Sequence, residues 1–217
     1  MTAMILAAGR GERLRPLTDT TPKALIEVQG ERLIDRHLRM LAKAGVNTVV
    51  INLGWLGEQI VEHVGSGQQF GLQVVYSPEY DNVLETGGGI HKALPTLGDA
   101  PFWVVNADIY TDMTLPEIEF KDGEQGHLVL VPTPAYRTKG DFDLVDGKVA
   151  KVSEPQLMFG CVAHYRPEFF AGSKDGRYSL APMLFAAAAE GRLGGSVYKG
   201  VWEDVGTPER LDRLNNR

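Results

Sequence analysis

Excess positive charge is missing from this chain. Its 22 Lys and Arg are outnumbered by 28 Asp and Glu, giving a formal net charge of -6 at pH 7. Nucleic-acid binding rests on cationic side chains that displace counterions from phosphates, so this balance argues against a nucleic-acid partner. Cysteine is almost absent: Cys161 is the only one in 217 residues. A disulfide within the chain and a cysteine-rich zinc site are thereby excluded, and a reducing compartment fits. The segment Phe159-Gly160-Cys161-Val162 reads as a strand, so a buried, inert thiol is expected. No apolar stretch approaches membrane-spanning length, and Met1–Leu6 is too short for a signal-peptide core. The expectation is a cytoplasmic protein with no membrane partner. The five histidines lack metal-ligand spacing. No linker, charge run or repeat divides the chain, which points to a single domain over residues 1–217. Without an apolar exposed stripe, a monomer is the default.

What is present is a β-α-β alternation. Met4–Ala8, Thr48–Asn52, Gln73–Tyr76 and Phe102–Asn106 read as buried strands. Leu33–Ala44, closed by Gly45, Gly57–Val64 and Gly87–Leu94 read as helices between them. This pattern predicts an α/β fold, a doubly wound and mostly parallel sheet flanked by helices. The second half is less regular and predicts a mixed sheet. Leu128–Pro132, Asp143–Val145, Lys148–Val152, Cys161–Tyr165 and Val197–Lys199 read as strands, with Asp146-Gly147 as a hairpin turn. Ala181–Glu190 and Pro208–Asn215 read as helices, and Val201–Val205 leads into the second.

The most informative segment follows the first strand. Ala7-Ala8-Gly9-Arg10-Gly11-Glu12-Arg13-Leu14-Arg15-Pro16-Leu17-Thr18 is a glycine-bearing basic loop, and Pro22-Lys23 comes behind it. Free backbone N–H groups with cations beside them suit a polyphosphate. Position 14 is Leu14, so the third glycine of the dinucleotide fingerprint is missing, and no Gly-Lys-Ser/Thr makes a P-loop. In open α/β sheets ligands bind beyond the carboxyl ends of the strands. Gly9–Lys23, Glu85–Gly89 and Asp108 all fall there. Taken alone, each has an ordinary structural reading: Asp108 and Asp204 as turn caps, Arg15 as a loop anchor, Glu12 as a solvated partner of an arginine. His37, Trp55 and Trp103 read as core residues.

The extended pattern resembles the signature of the sugar-1-phosphate nucleotidyltransferases. Leu6-Ala7-Ala8-Gly9-x-Gly11-x-Arg13-x-x-Pro16-Leu17-Thr18 and Pro22-Lys23 carry it first. Glu85-Thr86-Gly87-Gly88-Gly89, Asn106-Ala107-Asp108, Gly140-Asp141-Phe142 and Trp202-x-Asp204-Val205-Gly206-Thr207 continue it in order. The resemblance implies a Rossmann-like, GT-A-like fold and attack of a sugar 1-phosphate on the α-phosphorus of a nucleoside triphosphate. It implies catalytic roles for Arg13, Lys23 and Asp108, and Mg²⁺ held by Asp108 and Asp204. Nucleotide contacts are implied at Ala7, Ala8, Gly9, Gly11, Glu12, Arg13, Lys23, Glu79, Glu85, Gly87 and Gly88. Sugar contacts are implied at Asn106, Gly140, Asp141, Glu154 and Gly160. Within the family, the short length and the Glu-Thr-Gly-Gly-Gly and Gly-Asp-Phe segments favour UTP and an amino-sugar 1-phosphate. N-acetylmuramic acid 1-phosphate, a sugar of bacterial cell-wall recycling, is the best single guess. Guanylyl or thymidylyl transfer to mannose or glucose 1-phosphate, cytidylyl transfer to choline phosphate, and a non-catalytic nucleotide-sugar sensor remain alternatives. Two positions depart from the pattern: Ala107 stands for a usual glycine, and Phe159 for a small polar residue.

Overall fold

The first strand, β1 (Thr2–Leu6), alternates its side chains between two buried faces of one sheet. Ala3 and Ile5 point into one core, and Met4 into the other. This is the period-two signature of a strand covered on both sides. The protein is described here by a computed structural model covering residues 1–80 and 82–216.

After the basic loop comes a short hairpin, β2 (Glu27–Val28) and β3 (Glu31–Arg32), and then helix α1 (Leu33–Lys43). Strand β4 (Thr48–Leu53), helix α2 (Gly57–Val64), strand β5 (Gln73–Pro78), helix α3 (Glu85–Leu97) and strand β6 (Phe102–Asn106) follow. The second half contributes β7 (Ile109–Thr111), β8 (Gly126–Pro132), β9 (Asp143–Val145), β10 (Lys148–Ala150) and β11 (Leu157–Tyr165). Helix α4 (Ala181–Ala189), strands β12 (Leu193–Val197) and β13 (Trp202–Asp204), and helix α5 (Pro208–Asn215) complete it.

Nine strands form one sheet in the order β5-β4-β1-β6-β11-β8-β12-β10-β9. The first four are mutually parallel, and β11 enters antiparallel to both β6 and β8. Helices α1 and α2 cover one face through Ile34, Leu38, Leu41, Ile60 and Val64. Helices α3 and α4 cover the other through Ile90, Ala93, Leu97, Leu184 and Ala187. The doubly wound layout with a mixed second half is therefore as the residue pattern predicts. His37 is fully buried, and burial pushes its pKa down to about 4, so it is neutral at pH 7. Trp103 is buried in the core, but Trp55 is only half buried and belongs to the loop below.

Several boundaries differ from expectation. The strand expected at Val197–Lys199 is Leu193–Val197, because Gly194 and Gly195 lie inside it. A Cβ at Gly195 would meet Val149 at 2.8 Å and Leu144 at 2.9 Å, so tight packing against neighbouring strands accounts for that glycine. Strand β11 begins at Leu157, four residues earlier than expected, and carries a register shift between Phe159 and Val162. At this bulge Cys161 adopts a left-handed φ of 59°. Bulges re-aim side chains, and this one sits where β11 passes the end of β6. Among the described residues, no helix is long and apolar enough to cross a membrane.

Candidate active site

A cavity of about 350 Å³ opens at the carboxyl ends of β1, β4 and β6. Ala7, Ala8 and Gly9 line it from the loop after β1, Asn52 from β4, Asn106, Ala107 and Asp108 from the end of β6. Glu79, Glu85, Thr86 and Lys23 complete its polar wall. Of the expected nucleotide-binding residues, the structure brings Ala7, Ala8, Gly9, Lys23, Glu79 and Glu85 together here. Gly9 has no atom within 4 Å of where a Cβ would sit, so its backbone faces open space.

The rest of the loop is a chain of 3-10 turns, Glu12–Leu14, Leu17–Asp19 and Lys23–Leu25. Gly11 starts the first with a left-handed φ of 65°, which explains a glycine there. Leu14 is the anchor: it is buried in a small cluster with Ile26, Leu33, Tyr110 and Val205. Its neighbours Glu12 and Arg13 are consequently turned outward and exposed. Thr18 Oγ1 donates to the Gly11 carbonyl at 2.9 Å, and Trp55 Nε1 donates to the Thr18 carbonyl at 2.8 Å. Arg10 stacks over the Trp55 ring, 4.3 Å from its centroid. Arg15 pairs with Asp19 at 3.2 Å, which makes it a loop anchor. Gly11, Glu12 and Arg13 thus flank the cavity without lining it.

The two candidate metal ligands are brought together by a two-stranded ribbon. Strand β13 pairs antiparallel with β7 so that Asp204 faces Ile109, the residue after Asp108. The Val205 N–H donates to the Asp108 carbonyl at 2.9 Å. Lys23 Nζ donates to Asp108 Oδ2 at 2.5 Å, with only 12% of the lysine side chain exposed. Asp204 Oδ2 accepts from Arg210 at 2.6 Å, and that guanidinium lies 3.7 Å from the centroid of the Tyr136 ring. Asp204 Oδ1, by contrast, is buried and has no hydrogen-bond partner among the described residues. A buried carboxylate oxygen left unpaired is costly. A Cβ at Gly206 would lie 2.4 Å from that oxygen and 3.0 Å from guanidinium nitrogens of both Arg13 and Arg210. Glycine there keeps open a space shared by one carboxylate and two cations. Two carboxylates with an unmet oxygen suit a hard divalent cation. Among the described residues no group of three or more His, Cys, Asp or Glu is arranged to hold a metal ion, so further ligands beside this pair would come from substrate and water.

Glu79 and the glycine run also hold the frame of the site together. Glu79 Oε1 accepts from Asn52 Nδ2 at 2.9 Å, and its Oε2 from the Leu84 N–H at 2.8 Å. Asn52 Oδ1 in turn accepts from the Ala7 N–H at 2.6 Å. The buried carboxylate is thus committed to holding three strand ends in register. Gly87 and Gly88 do not line the cavity. Both amides donate to the Tyr178 carbonyl, at 3.0 and 3.2 Å. A Cβ on either would collide with the Tyr178 ring at 2.5 Å or the Gly176 carbonyl at 2.0 Å. Close approach of residues 176–178 leaves no room for a side chain at either glycine. At Gly89 a Cβ would meet Glu79 Oε1 at 2.8 Å and Asn52 Nδ2 at 3.0 Å. Gly89→Ala is therefore expected to cost about 1–3 kcal/mol, or roughly 2–10 °C in Tm by thermal unfolding. An unchanged Tm would show that the network yields without strain.

Of the expected sugar contacts, only Asn106 lines the cavity. Gly140 donates its N–H to the Pro155 carbonyl at 3.1 Å, and a Cβ there would meet the Leu157 carbonyl at 2.4 Å. Asp141 accepts from the Phe159 N–H at 3.2 Å and pairs with Arg137 at 3.1 Å. Gly160 is buried in the bulge, its carbonyl accepting from Trp202 Nε1 at 2.9 Å. Glu154 is exposed on the loop before β11. These four shape the entry to β11 and do not face the cavity. Burial, together with the nearby Asp108, Asp204 and Asp141, pushes the Cys161 thiol well above its usual pKa, so it is held as the neutral thiol. Sequence reasoning missed Asn52, Ser179 and Arg210, whereas Thr86 lies within the Glu85–Gly89 turn it singled out. Asn52 was findable, as the last polar residue of a predicted parallel strand.

Comparison with known proteins bears on what such a site does. The family model for nucleotidyl transferases matches residues 2–141. An N-acetylmuramate alpha-1-phosphate uridylyltransferase of Neisseria meningitidis is 44% identical, over 97% of this chain and 95% of that protein. The enzyme of the same name from Caulobacter vibrioides is 36% identical, over 95% and 92%. A mannose-1-phosphate guanyltransferase of Aspergillus fumigatus is 29% identical over 96% of this chain, which spans 62% of it. Among solved structures, the inositol-1-phosphate CTP transferase of T. maritima superposes with a TM-score of 0.77 at 16% identity, covering 98% and 95% of the two chains. That last likeness speaks for the fold alone. The match across most of the sheet, and the near full-length identity to the Neisseria protein, show that this chain belongs to the nucleotidyl transferase family.

Proposed function

We propose that the chain transfers UMP from UTP to an amino-sugar 1-phosphate, with N-acetylmuramic acid 1-phosphate as substrate, and releases pyrophosphate. One observation carries the chemistry: Lys23 and Asp108 meet at 2.5 Å on the wall of a cavity that Gly9 opens on one side and Asn106 on the other. The choice of nucleotide and sugar is supported by the activity named for the two relatives above 35% identity.

The attacking sugar phosphate is already an anion, so no general base is needed. A sugar phosphate oxygen forms a bond to the α-phosphorus of UTP as the bond to the bridging oxygen breaks, and pyrophosphate leaves with the electron pair. The demand on the protein is to align two polyanions and offset charge. Lys23, the one cation lining the cavity among the described residues, would offset charge at the α-phosphate. Arg13, exposed on the anchored loop, would bind the β- and γ-phosphates that depart. Asp108 and Asp204 would hold Mg²⁺, which when bound offsets charge on the phosphate oxygens. Arg210 holds one oxygen of Asp204 and leaves the other free. This reaction would place the chain in cell-wall sugar recycling.

The test is a matrix of four nucleoside triphosphates against a panel of sugar 1-phosphates, read as pyrophosphate release. UTP with N-acetylmuramic acid 1-phosphate is expected to give the highest kcat/KM. Preference for GTP with mannose 1-phosphate, the pair suggested by the relatives near 29% identity, would overturn the substrate assignment. No release with any pair would favour a nucleotide-sugar sensor.

A further inference from the structure

Arg10 stands between the two glycines of the basic loop and does not line the substrate cavity. Gly9 faces open space, and Gly11 adopts a left-handed φ of 65°. Glycines leave such a backbone many conformations, and freezing it only when a ligand binds costs affinity. Leu14 anchors the loop, but only beyond this stretch. Residues 9–11 therefore need a hold of their own.

That hold comes from a different element. Trp55 lies in the turn between β4 and α2, and β4 is the parallel neighbour of β1. A Cβ at Gly54 would lie 2.3 Å from the Ala8 carbonyl oxygen, so this turn presses directly on the start of the loop. From there the indole makes two contacts. Its Nε1 donates to the Thr18 carbonyl at 2.8 Å, and its ring lies 4.3 Å from the Arg10 guanidinium. Thr18 is 1% exposed and donates through Oγ1 to the Gly11 carbonyl at 2.9 Å. One ring thus holds the glycine stretch twice, at Arg10 directly and at Gly11 through Thr18. Gln59, on α2, adds a bond from Nε2 to the Thr20 carbonyl at 3.0 Å, further along the loop.

We infer that Trp55 is a positioning residue for the triphosphate: by stacking Arg10 and holding Thr18 it orders residues 9–11 before the nucleotide arrives. This role rests on the nucleotidyl-transfer reading above. Trp55 does not line the cavity, so its effect passes through Arg10 and Thr18. Two consequences separate it from a merely structural tryptophan. Ordering the loop favours the part of the ligand that the loop holds, so a triphosphate gains more than a monophosphate of the same nucleoside. Arg10 also matters only while the ring is there to hold it, whereas a direct phosphate ligand would matter with or without Trp55.

The experiment measures Kd for UTP and for UMP by calorimetry, on the full chain with Mg²⁺ and without sugar phosphate. Wild type is expected to bind UTP at least about tenfold more tightly, through charge-assisted bonds to the two further phosphates. Trp55→Leu removes the ring and its N–H, and Arg10→Met removes the guanidinium. Each is expected to weaken UTP about three- to tenfold and to leave UMP within about twofold. Trp55→Phe keeps a ring for Arg10 and loses the N–H, and is expected to weaken UTP about two- to threefold. The double variant Arg10→Met with Trp55→Leu is expected to bind UTP within about twofold of the weaker single variant. Arg10 is exposed, so the UTP-to-UMP ratios of Arg10→Met and Trp55→Phe decide the matter if Trp55→Leu does not fold. Losses that multiply in the double variant make Arg10 a phosphate ligand in its own right and overturn the role of Trp55. Equal weakening of UTP and UMP, or no weakening of either, overturns it too. These results leave nucleotidyl transfer standing, since wild type still binds UTP. Wild type that binds UTP no more tightly than UMP overturns the triphosphate reading of the loop and the role of Trp55 together.

Discussion

Lys23→Ala is expected to lower kcat for pyrophosphate release by about a hundredfold or more, as loss of a cation that acts in the transition state does. The argument rests on placement. Pro22 precedes a single 3-10 turn, Lys23–Leu25, whose Ala24 and Leu25 are buried, so the lysine stem is fixed at its base. Among the described residues its ammonium is the only cation on the cavity wall, and it sits 2.5 Å from Asp108. Stability should change little. Asp108 keeps 35% of its side chain exposed, so water can solvate it once the lysine is gone. The variant should therefore fold, bind UTP with a modestly raised KM, and fail mainly in kcat. Lys23→Arg should recover only part of the rate, because a planar guanidinium cannot reproduce a compact charge. Steady-state kinetics beside a thermal melt separate these outcomes. An unchanged kcat in a folded Lys23→Ala protein would remove the lysine from the mechanism.

The second large effect is expected at the acidic pair. Asp108→Asn and Asp204→Asn each keep shape and lose a charge. Each is expected to lower kcat/KM by roughly a hundredfold to ten-thousandfold, since metal-borne stabilisation is worth several kcal/mol. The concentration of Mg²⁺ needed for half-maximal activity should rise at the same time. Asp204→Asn carries an extra consequence. Arg210, 15% exposed in its side chain and packed on Tyr136, would lose its charged partner. Removing one member of a partly buried pair strands the other, so this variant should also melt lower than Asp108→Asn. Full activity of wild type in excess chelator would contradict the metal assignment at both positions.

The frame of the fold was legible because the first half is periodic. Thr48–Leu53 carries an apolar run, Val49 to Ile51, between Thr48 and Asn52, and Gly57–Val64 has helical spacing between glycines. Both form the elements those patterns predict. The second half was harder because its signals are local exceptions. Leu193-Gly194-Gly195 looks like a turn, yet glycine is there because strands on either side press too close for a side chain. The start of β11 was hidden by Phe159-Gly160-Cys161, a bulge whose left-handed Cys161 no propensity favours.

The site shows the same division. Residues at strand ends, Ala7 to Gly9, Asn106 and Asp108, follow from topology alone and line the cavity. Gly87 and Gly88, read by motif, do not line the cavity and instead pack against Tyr178 and Gly176. A motif records that a position is constrained but not by what, and here the constraint is packing around the site. Asn52 and Arg210 belong to no motif, and their importance comes from partners 27 and 6 residues away, Glu79 and Asp204.

The central claim is transfer of a nucleotidyl group to a sugar phosphate with loss of pyrophosphate. Its most direct test is the identity of the products from UTP, N-acetylmuramic acid 1-phosphate and Mg²⁺, read by mass spectrometry. The expected result is a uridine diphosphate sugar and pyrophosphate in equal amounts, both absent when the sugar phosphate is left out. Release of orthophosphate, or UTP recovered intact beside unreacted sugar phosphate, would contradict it.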